Sequence, residues 1–354
     1  MLLPFRIQKS ALRFPFKVET HLAVTWNNMT IVWGGYDEDQ SDPPTSVVYC
    51  FESGEWIKRK TSGEIPDETG YLKRAVEVIN DSMFIMDTNV GRVYSLDLNT
   101  WTWTRISPLG NPPQDIQDAT SWTYRGKMYC FGGNGWKDEV EWTRTNQLFC
   151  YNTIDNAWEH PDQVGDIPSP RGDPLSIISG DTVFVFGGGG DHGLKFSDLH
   201  ILNMLTMRWT KVHGNVWKMP HHFMDLYVTF TQVSDSAAIL YGRYDNFLVL
   251  DLDKAKQLRD PSVLWTRVSH QFPRCAHASV IEPVSQRLWI IGGFDGQNRI
   301  TSDIIEIPIK PSLKDLAIDC AARNISANDP RLQPGKYPKK LRDEIEVYRS
   351  RTEQ

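Results

Sequence analysis

Phe184-Val185-Phe186-Gly187-Gly188 is a run of β-branched and aromatic residues closed by two glycines, and the chain repeats it. Intact copies are Ile31-Val32-Trp33-Gly34-Gly35, Cys130-Phe131-Gly132-Gly133 and Trp289-Ile290-Ile291-Gly292-Gly293. Two weakened copies, Met83-Phe84-Ile85-Met86-Asp87 and Ala238-Ile239-Leu240-Tyr241-Gly242, fill the gaps. Successive copies lie about 53, 45, 55, 55 and 50 residues apart. That period is too long for a helical solenoid unit and long enough for a four-stranded sheet.

A second signal accompanies each run. After a loop comes an aliphatic strand and then a tryptophan: Val47 to Phe51 with Trp56, Val93 to Leu98 with Trp103, Leu148 to Tyr151 with Trp158, Leu199 to Leu202 with Trp209, and Phe247 to Leu250 with Trp265. The strand residues alternate as half-buried antiparallel strands do. The tryptophans are expected to wedge against the neighbouring blade with their indole N–H bonded at the rim. The glycine pairs are expected where a Cβ would collide with that blade. These residues resemble the kelch-repeat family over roughly residues 15 to 309. The resemblance implies an all-β fold, a six-bladed kelch β-propeller with a short C-terminal α-helical tail, divided as 1–309 and 310–354. The sixth unit, Ser302 to Ile307, has no following tryptophan, so its fourth strand is expected from the N-terminal segment near Arg13-Phe14-Pro15-Phe16. Such an exchange closes the ring and removes sheet edges.

Composition agrees with one propeller and a tail in 354 residues, with 40% hydrophobic and 11% aromatic residues. Mean hydropathy is −0.41, and no stretch approaches the roughly 20 apolar residues of a membrane span. The opening Met1-Leu2-Leu3-Pro4-Phe5-Arg6 lacks the long apolar segment of a secretory leader. Five scattered cysteines, Cys50, Cys130, Cys150, Cys275 and Cys320, form no Cys-x-x-Cys and read as reduced core residues, so a cytoplasmic or nuclear location is expected. From Lys310 onward 10 basic and 7 acidic residues give +3, which leaves −9 of the total −6 for the propeller. An acidic propeller argues against nucleic acid, whose phosphates need clustered Lys and Arg.

Beyond Pro311 the period changes to three or four: Leu313, Leu316, Ala317, Cys320, Ala321 and Ile325 share one helical stripe, with Ser312 as N-cap. A second amphipathic helix is expected from Pro338, carrying Leu341, Ile345 and Tyr348. The first stripe resembles the box with which substrate receptors of cullin-RING ubiquitin ligases grip Elongin B and C. Ser312 and Leu313 match it, Ala317 stands at the cysteine position and Ala321 in the last place; Leu316 with Cys320 offers a shifted register. Tyr337-Pro338, Leu341 and Ile345 resemble the cullin-contacting box, at a spacing like that of the von Hippel–Lindau type. The resemblance implies Elongin B/C and a cullin as partners, and a substrate receptor as the role. The alternative is a kelch scaffold without a ligase link, whose tail caps the propeller.

No catalytic residue, metal or cofactor is expected. The nine histidines are dispersed, and His221-His222 lacks a third ligand at metal spacing. Gly187-Gly188-Gly189-Gly190 lacks the Lys-Ser/Thr of a phosphate loop. His21 and His277 recur at matching places and read as structural. Partner binding is expected on the face that gathers the post-glycine loops and the lead-ins to each first strand. The loops carry Tyr36, Asn134, Trp136, His192, Lys195, Arg243, Tyr244, Phe294 and Asp295; the lead-ins carry Arg74, Arg171 and Arg274. Aromatic and arginine side chains around a concave mouth suit peptide capture. Arg171 and Arg274 resemble the blade lead-ins of kelch receptors that hold a C-terminal carboxylate, which implies an acidic or C-terminal peptide. Each arginine could instead hold an inter-blade hydrogen bond to backbone.

Overall fold

The computed structural model describes residues 7–37, 45–66, 75–87, 92–113, 117–137, 141–212, 228–258 and 264–309. Six antiparallel sheets are arranged as the blades of a propeller. Their innermost strands are Leu22–Trp26, Ala75–Ile79, Thr120–Tyr124, Leu175–Ser179, Thr229–Ser234 and Ala278–Glu282. Each is followed outward by the strand of the hydrophobic run, so that Leu175 faces Phe186 and Phe186 faces Leu199 in the fourth blade. The described residues contain one short α-helix, Leu252–Lys256, capped by the Asp251 carboxylate accepting from Lys254 N. No described helix is long and apolar enough to cross a membrane. The expected tail, 310–354, lies outside the described residues.

The core is divided into six wedges, one at each blade junction. This follows from the sequence pattern: alternate residues of the middle strands are apolar on both faces, and each face meets a different blade. The tryptophans sit where expected. Trp103 meets Trp33 of the blade before it at 5.4 Å, Trp209 meets Phe131 at 4.9 Å and Trp265 meets Phe186 at 5.2 Å. Trp56 lies 6.4 Å from Trp289, joining the first blade to the sixth. Cys50, Cys130, Cys150 and Cys275 are buried and unpaired, and burial pushes the first three thiols up to about 12, which keeps them protonated. Cys320 lies outside the described residues.

Ring closure uses the N-terminus, a few residues earlier than expected. The exchanged strand is Gln8–Arg13, paired antiparallel with Asp303–Pro308. Gln8 and Ser10 donate to the Glu306 carboxylate at 3.1 and 2.6 Å, and Lys9 pairs with Asp303 at 2.6 Å. Phe14 belongs to the plug that follows: 2% exposed, it meets Trp56 edge-on at 4.9 Å and Tyr49 at 5.4 Å. The strand therefore completes the sixth blade while the next residues fill the wedge against the first.

A further device ties blades together. After leaving one blade, the linker pairs in parallel with the outer strand of the next. Ser62–Gly63 pairs with Thr102 and Trp103, Leu109 with Ala157, and Val164–Gly165 with Arg208 and Trp209. The straps read Gly63-Glu64-Ile65-Pro66, Gly110-Asn111-Pro112-Pro113 and Gly165-Asp166-Ile167-Pro168. Gly165 has φ +87°, and a Cβ there would lie 2.3 Å from the Trp209 carbonyl oxygen, so only glycine fits. The residue two before the glycine receives the indole proton: Trp103 Nε1 donates to Thr61 Oγ1 at 3.1 Å and Trp209 Nε1 to Gln163 Oε1 at 2.8 Å.

Candidate functional site

The six innermost strands enclose a central cavity of about 530 Å³. Its wall carries hydroxyls, Thr120, Ser121, Ser176, Thr229, Thr231 and Ser279, which bond across blade junctions. Thr120 and Ser176 are 2.6 Å apart, Thr231 and Ser279 2.5 Å, and Thr229 meets His277 Nε2 at 2.8 Å. Glu77 accepts from Ser121 at 2.9 Å and Thr123 at 2.8 Å, joining the second blade to the third.

The lead-ins form the mouth. Thr20, Asp118, Asp173 and Ala276 all line the cavity and all have left-handed backbones, with φ between 51° and 57°. Thr20 N donates to Ala276 O, and Asp173 N to Asp118 O, both at 2.8 Å, so neighbouring lead-ins are bonded around the channel. The double glycines serve this junction. A Cβ on Gly188 would lie 2.7 Å from the Gly172 carbonyl oxygen of its own blade, whereas one on Gly132 would lie 2.7 Å from the Arg171 oxygen of the next blade. The expected collision with the neighbour thus holds for the first glycine of a pair, and the second is constrained by its own lead-in.

The mouth does not gather three guanidiniums, and this corrects the sequence expectation. Arg171 is fully buried. Its fork grips Asp198 at 2.7 and 3.1 Å, its remaining donors reach Gly187 O and Ser169 O, and its face lies 4.2 Å from the Phe196 ring centroid. Burial opposes ionisation of Asp198, yet hydrogen bonds from His200 and Arg171 overcome it and hold the carboxyl well below the usual carboxylate range. Arg274 is 4% exposed and donates to Asp303 Oδ2 at 3.2 Å and Pro273 O at 2.8 Å. Both arginines clamp their lead-in to the third strand of the same blade, a role distinct from the inter-blade backbone bond that was the alternative. Their signal was present in Ser197-Asp198 and Ser302-Asp303.

The remaining expected residues fall in three groups. Arg243, His192 and Lys195 are exposed; the Arg243 guanidinium bridges to Cys275 Sγ at 3.2 Å and Asn298 Oδ1 at 3.3 Å on the sixth blade. Tyr36, Tyr244 and Phe294 are half-buried, with Tyr36 and Phe294 bridging by backbone to the lead-in residues Glu19 and Cys275. Asn134 is buried and donates to Asp118 at 3.0 Å, while Asp295 closes its own loop with Arg299 at 2.8 Å. Trp136 lies in the hairpin Asn134–Lys137, but its side chain is outside the described part, as are Arg74, His221 and His222. Ser312, Leu313, Leu316, Ala317, Cys320 and Ala321, and Tyr337, Pro338, Leu341 and Ile345, also lie outside it. Among the described residues no group of three His, Cys, Asp or Glu could hold a metal ion.

The buried histidines make the fold acid-sensitive. Burial pushes His21 and His277 down to about 3 and His270 down to about 4, from an ordinary 6.5. The folded chain therefore refuses protons that the unfolded chain accepts below about pH 6.5. Stability is intact above that pH and is lost as the pH falls from 6.5 toward 4 and 3. At about pH 5 the deficit is about 2 kcal/mol per histidine. Thermal melts at about pH 7 and pH 5 are expected to show this loss, and His277→Asn should reduce it; equal melting temperatures would show solvated imidazoles.

A channel ringed by six four-stranded blades, with double-glycine turns and Arg–Asp clamps at its mouth, defines a β-propeller of the kelch type. The chain belongs to that family: residues 20–242 match the KLHDC2/KLHL20/DRC7 Kelch-repeats domain. It is 24% identical over 255 residues to Kelch domain-containing protein 1 of Mus musculus, covering 63% of this chain and 62% of that protein. It is 26% identical over 241 residues to Kelch domain-containing protein 2 of Bos taurus, covering 58% of each. Acyl-CoA-binding domain-containing protein 5 of Arabidopsis thaliana is 26% identical over 199 residues, or 54% of this chain and 30% of that protein. The chain thus spans about three fifths of the length of the first two relatives.

Proposed function

We propose that this propeller recruits a protein substrate to an Elongin-linked cullin-RING ubiquitin ligase, as receptor and not as catalyst. Kelch propellers are typically non-catalytic interaction scaffolds, which supports the recruiting half of the reading. The observation that carries the ligase half is the ordered pair of boxes, Ser312-Leu313 with Ala317 and Ala321, then Tyr337-Pro338 with Leu341 and Ile345. Leucine in the first box and proline in the second supply the apolar anchors that a helix-in-groove contact needs.

Co-purification of the full chain with recombinant Elongin B/C tests it. Leu313→Asp with Leu316→Asp is expected to abolish co-purification and leave the melting temperature nearly unchanged. If the tail instead covers the propeller, the wild-type chain will not retain Elongin B/C. The double variant will then lose about 2–5 kcal/mol of stability per buried leucine. That result would leave a kelch scaffold with no ligase link.

A further inference from the structure

The channel wall is an acceptor surface that lacks a cation. Glu77, Asp118 and Asp173 line it, and among the described residues no lysine or arginine does. Arg171 and Arg274 are turned into their own blades. Glu77 receives only the neutral hydroxyl donors Ser121 and Thr123, and burial raises its pKa. A carboxylate in that setting gains from a positive partner, because hydrogen bonds from neutral groups offset only part of its lost hydration.

An independent observation points to the same ligand chemistry. His21 lines the cavity, is 4% exposed, and has neither ring nitrogen hydrogen-bonded among the described residues. A neutral imidazole keeps one lone pair as an acceptor. Thr20 Oγ1 and His277 Nδ1, on the same wall, are also buried without a partner. Unused acceptors beside a carboxylate call for N–H donors that carry positive charge. The volume, about 530 Å³, exceeds what one small ion fills and lies within the usual range of ligand pockets.

We propose that the central channel receives the side chain of a lysine or arginine from a bound protein, with Glu77 as its principal acceptor and the Asp118 and Asp173 carboxylates drawing it into the mouth. This rests on the protein-recruiting half of the proposed function and is independent of the ligase link. It reverses the preference for an acidic or C-terminal peptide that the arginines implied when read from sequence. Opposite charge at the mouth raises encounter rate, and the desolvated contact to Glu77 sets selectivity.

The test titrates the full chain into acetylated, amidated glycine pentapeptides whose central residue is arginine, lysine, citrulline or glutamate, read by line broadening of the peptide NMR signals. The arginine and lysine peptides are expected to bind at least tenfold more tightly than the citrulline and glutamate peptides. Glu77→Gln, whose side-chain oxygen still accepts from Ser121 and Thr123, should remove that preference while melting like the wild type. Equal binding of arginine and citrulline peptides would overturn the proposal. So would preference for glutamate, absence of basic-peptide binding at millimolar concentration, or a cation preference that survives Glu77→Gln. Spermidine is the competitor: if it binds and the arginine peptide cannot displace it, the channel is a polyamine site and not a protein-docking one. The Elongin co-purification reads the tail alone, so the two experiments fail separately.

Discussion

Removing residues 1–16 is expected to unfold the propeller as a whole and not to fray one blade. The deletion takes away the strand Gln8–Arg13 and with it an edge partner for Asp303–Pro308, leaving an unpaired strand whose N–H and C=O groups invite association. It also removes Phe14, which fills the wedge between the sixth and first blades with Trp289, Val280 and Val32. The buried carboxylates Glu306 and Asp303 lose the donors Ser10, Gln8 and Lys9. Phe14→Ala alone should cost about 3–5 kcal/mol, since it empties a ring site that neighbours cannot refill. Circular dichroism melts of the two variants are the measurement. A single transition shifted far downward for the deletion, with aggregation, is the expected result. A deletion variant that keeps most of its signal through an unshifted main transition would mean that the blades fold independently and the closure is dispensable.

How much of this was readable beforehand depends on the range of the physics involved. The period of the Phe-Val-Phe-Gly-Gly runs and the tryptophans that follow are local patterns whose meaning does not change with context, so the blade count and the wedge role of Trp103 and Trp209 followed from them. The need for a donated strand followed from a missing tryptophan after Ile307. The straps were written as plainly, in Gly63-Glu64-Ile65-Pro66 and Gly165-Asp166-Ile167-Pro168, yet their function is a parallel pairing with an outer strand over forty residues later, which no local period reports. The site suffered most. Residue type and blade position placed Arg171 and Arg274 near the mouth, and they are near it. Their guanidiniums turn inward because Asp198 and Asp303 wait 27 and 29 residues further on, and a fork with a buried carboxylate in reach does not stay in solvent. With those charges withdrawn, the carboxylates of Glu77, Asp118 and Asp173 decide the sign of the channel.

Arg171→Met is expected to cost about 3–5 kcal/mol of folding stability, because it leaves Asp198 charged and largely buried without its main partner. Arg171→Lys should recover only part of this. Lysine restores the charge, but a single ammonium cannot serve the Asp198 carboxylate, Gly187 O and Ser169 O at once, and it loses the planar stack on Phe196. His200, which also contacts Asp198 at 3.0 Å, keeps the carboxylate from being fully abandoned and limits the loss. Combining Arg171→Met with Asp198→Leu should regain stability relative to Arg171→Met alone, since an apolar pair of similar volume avoids the desolvation that an unpaired charge suffers. Urea unfolding of the wild type, both single variants and the double variant closes the cycle, and a coupling above about 2 kcal/mol is expected for groups in direct contact. The exposed Arg243→Ala is the control, with an expected change within about 0.5 kcal/mol. Should Arg171→Met melt like the wild type while losing a bound peptide, the guanidinium would belong to the partner and not to the blade. The 2.7 Å grip on Asp198 at full burial is the reason to expect the reverse.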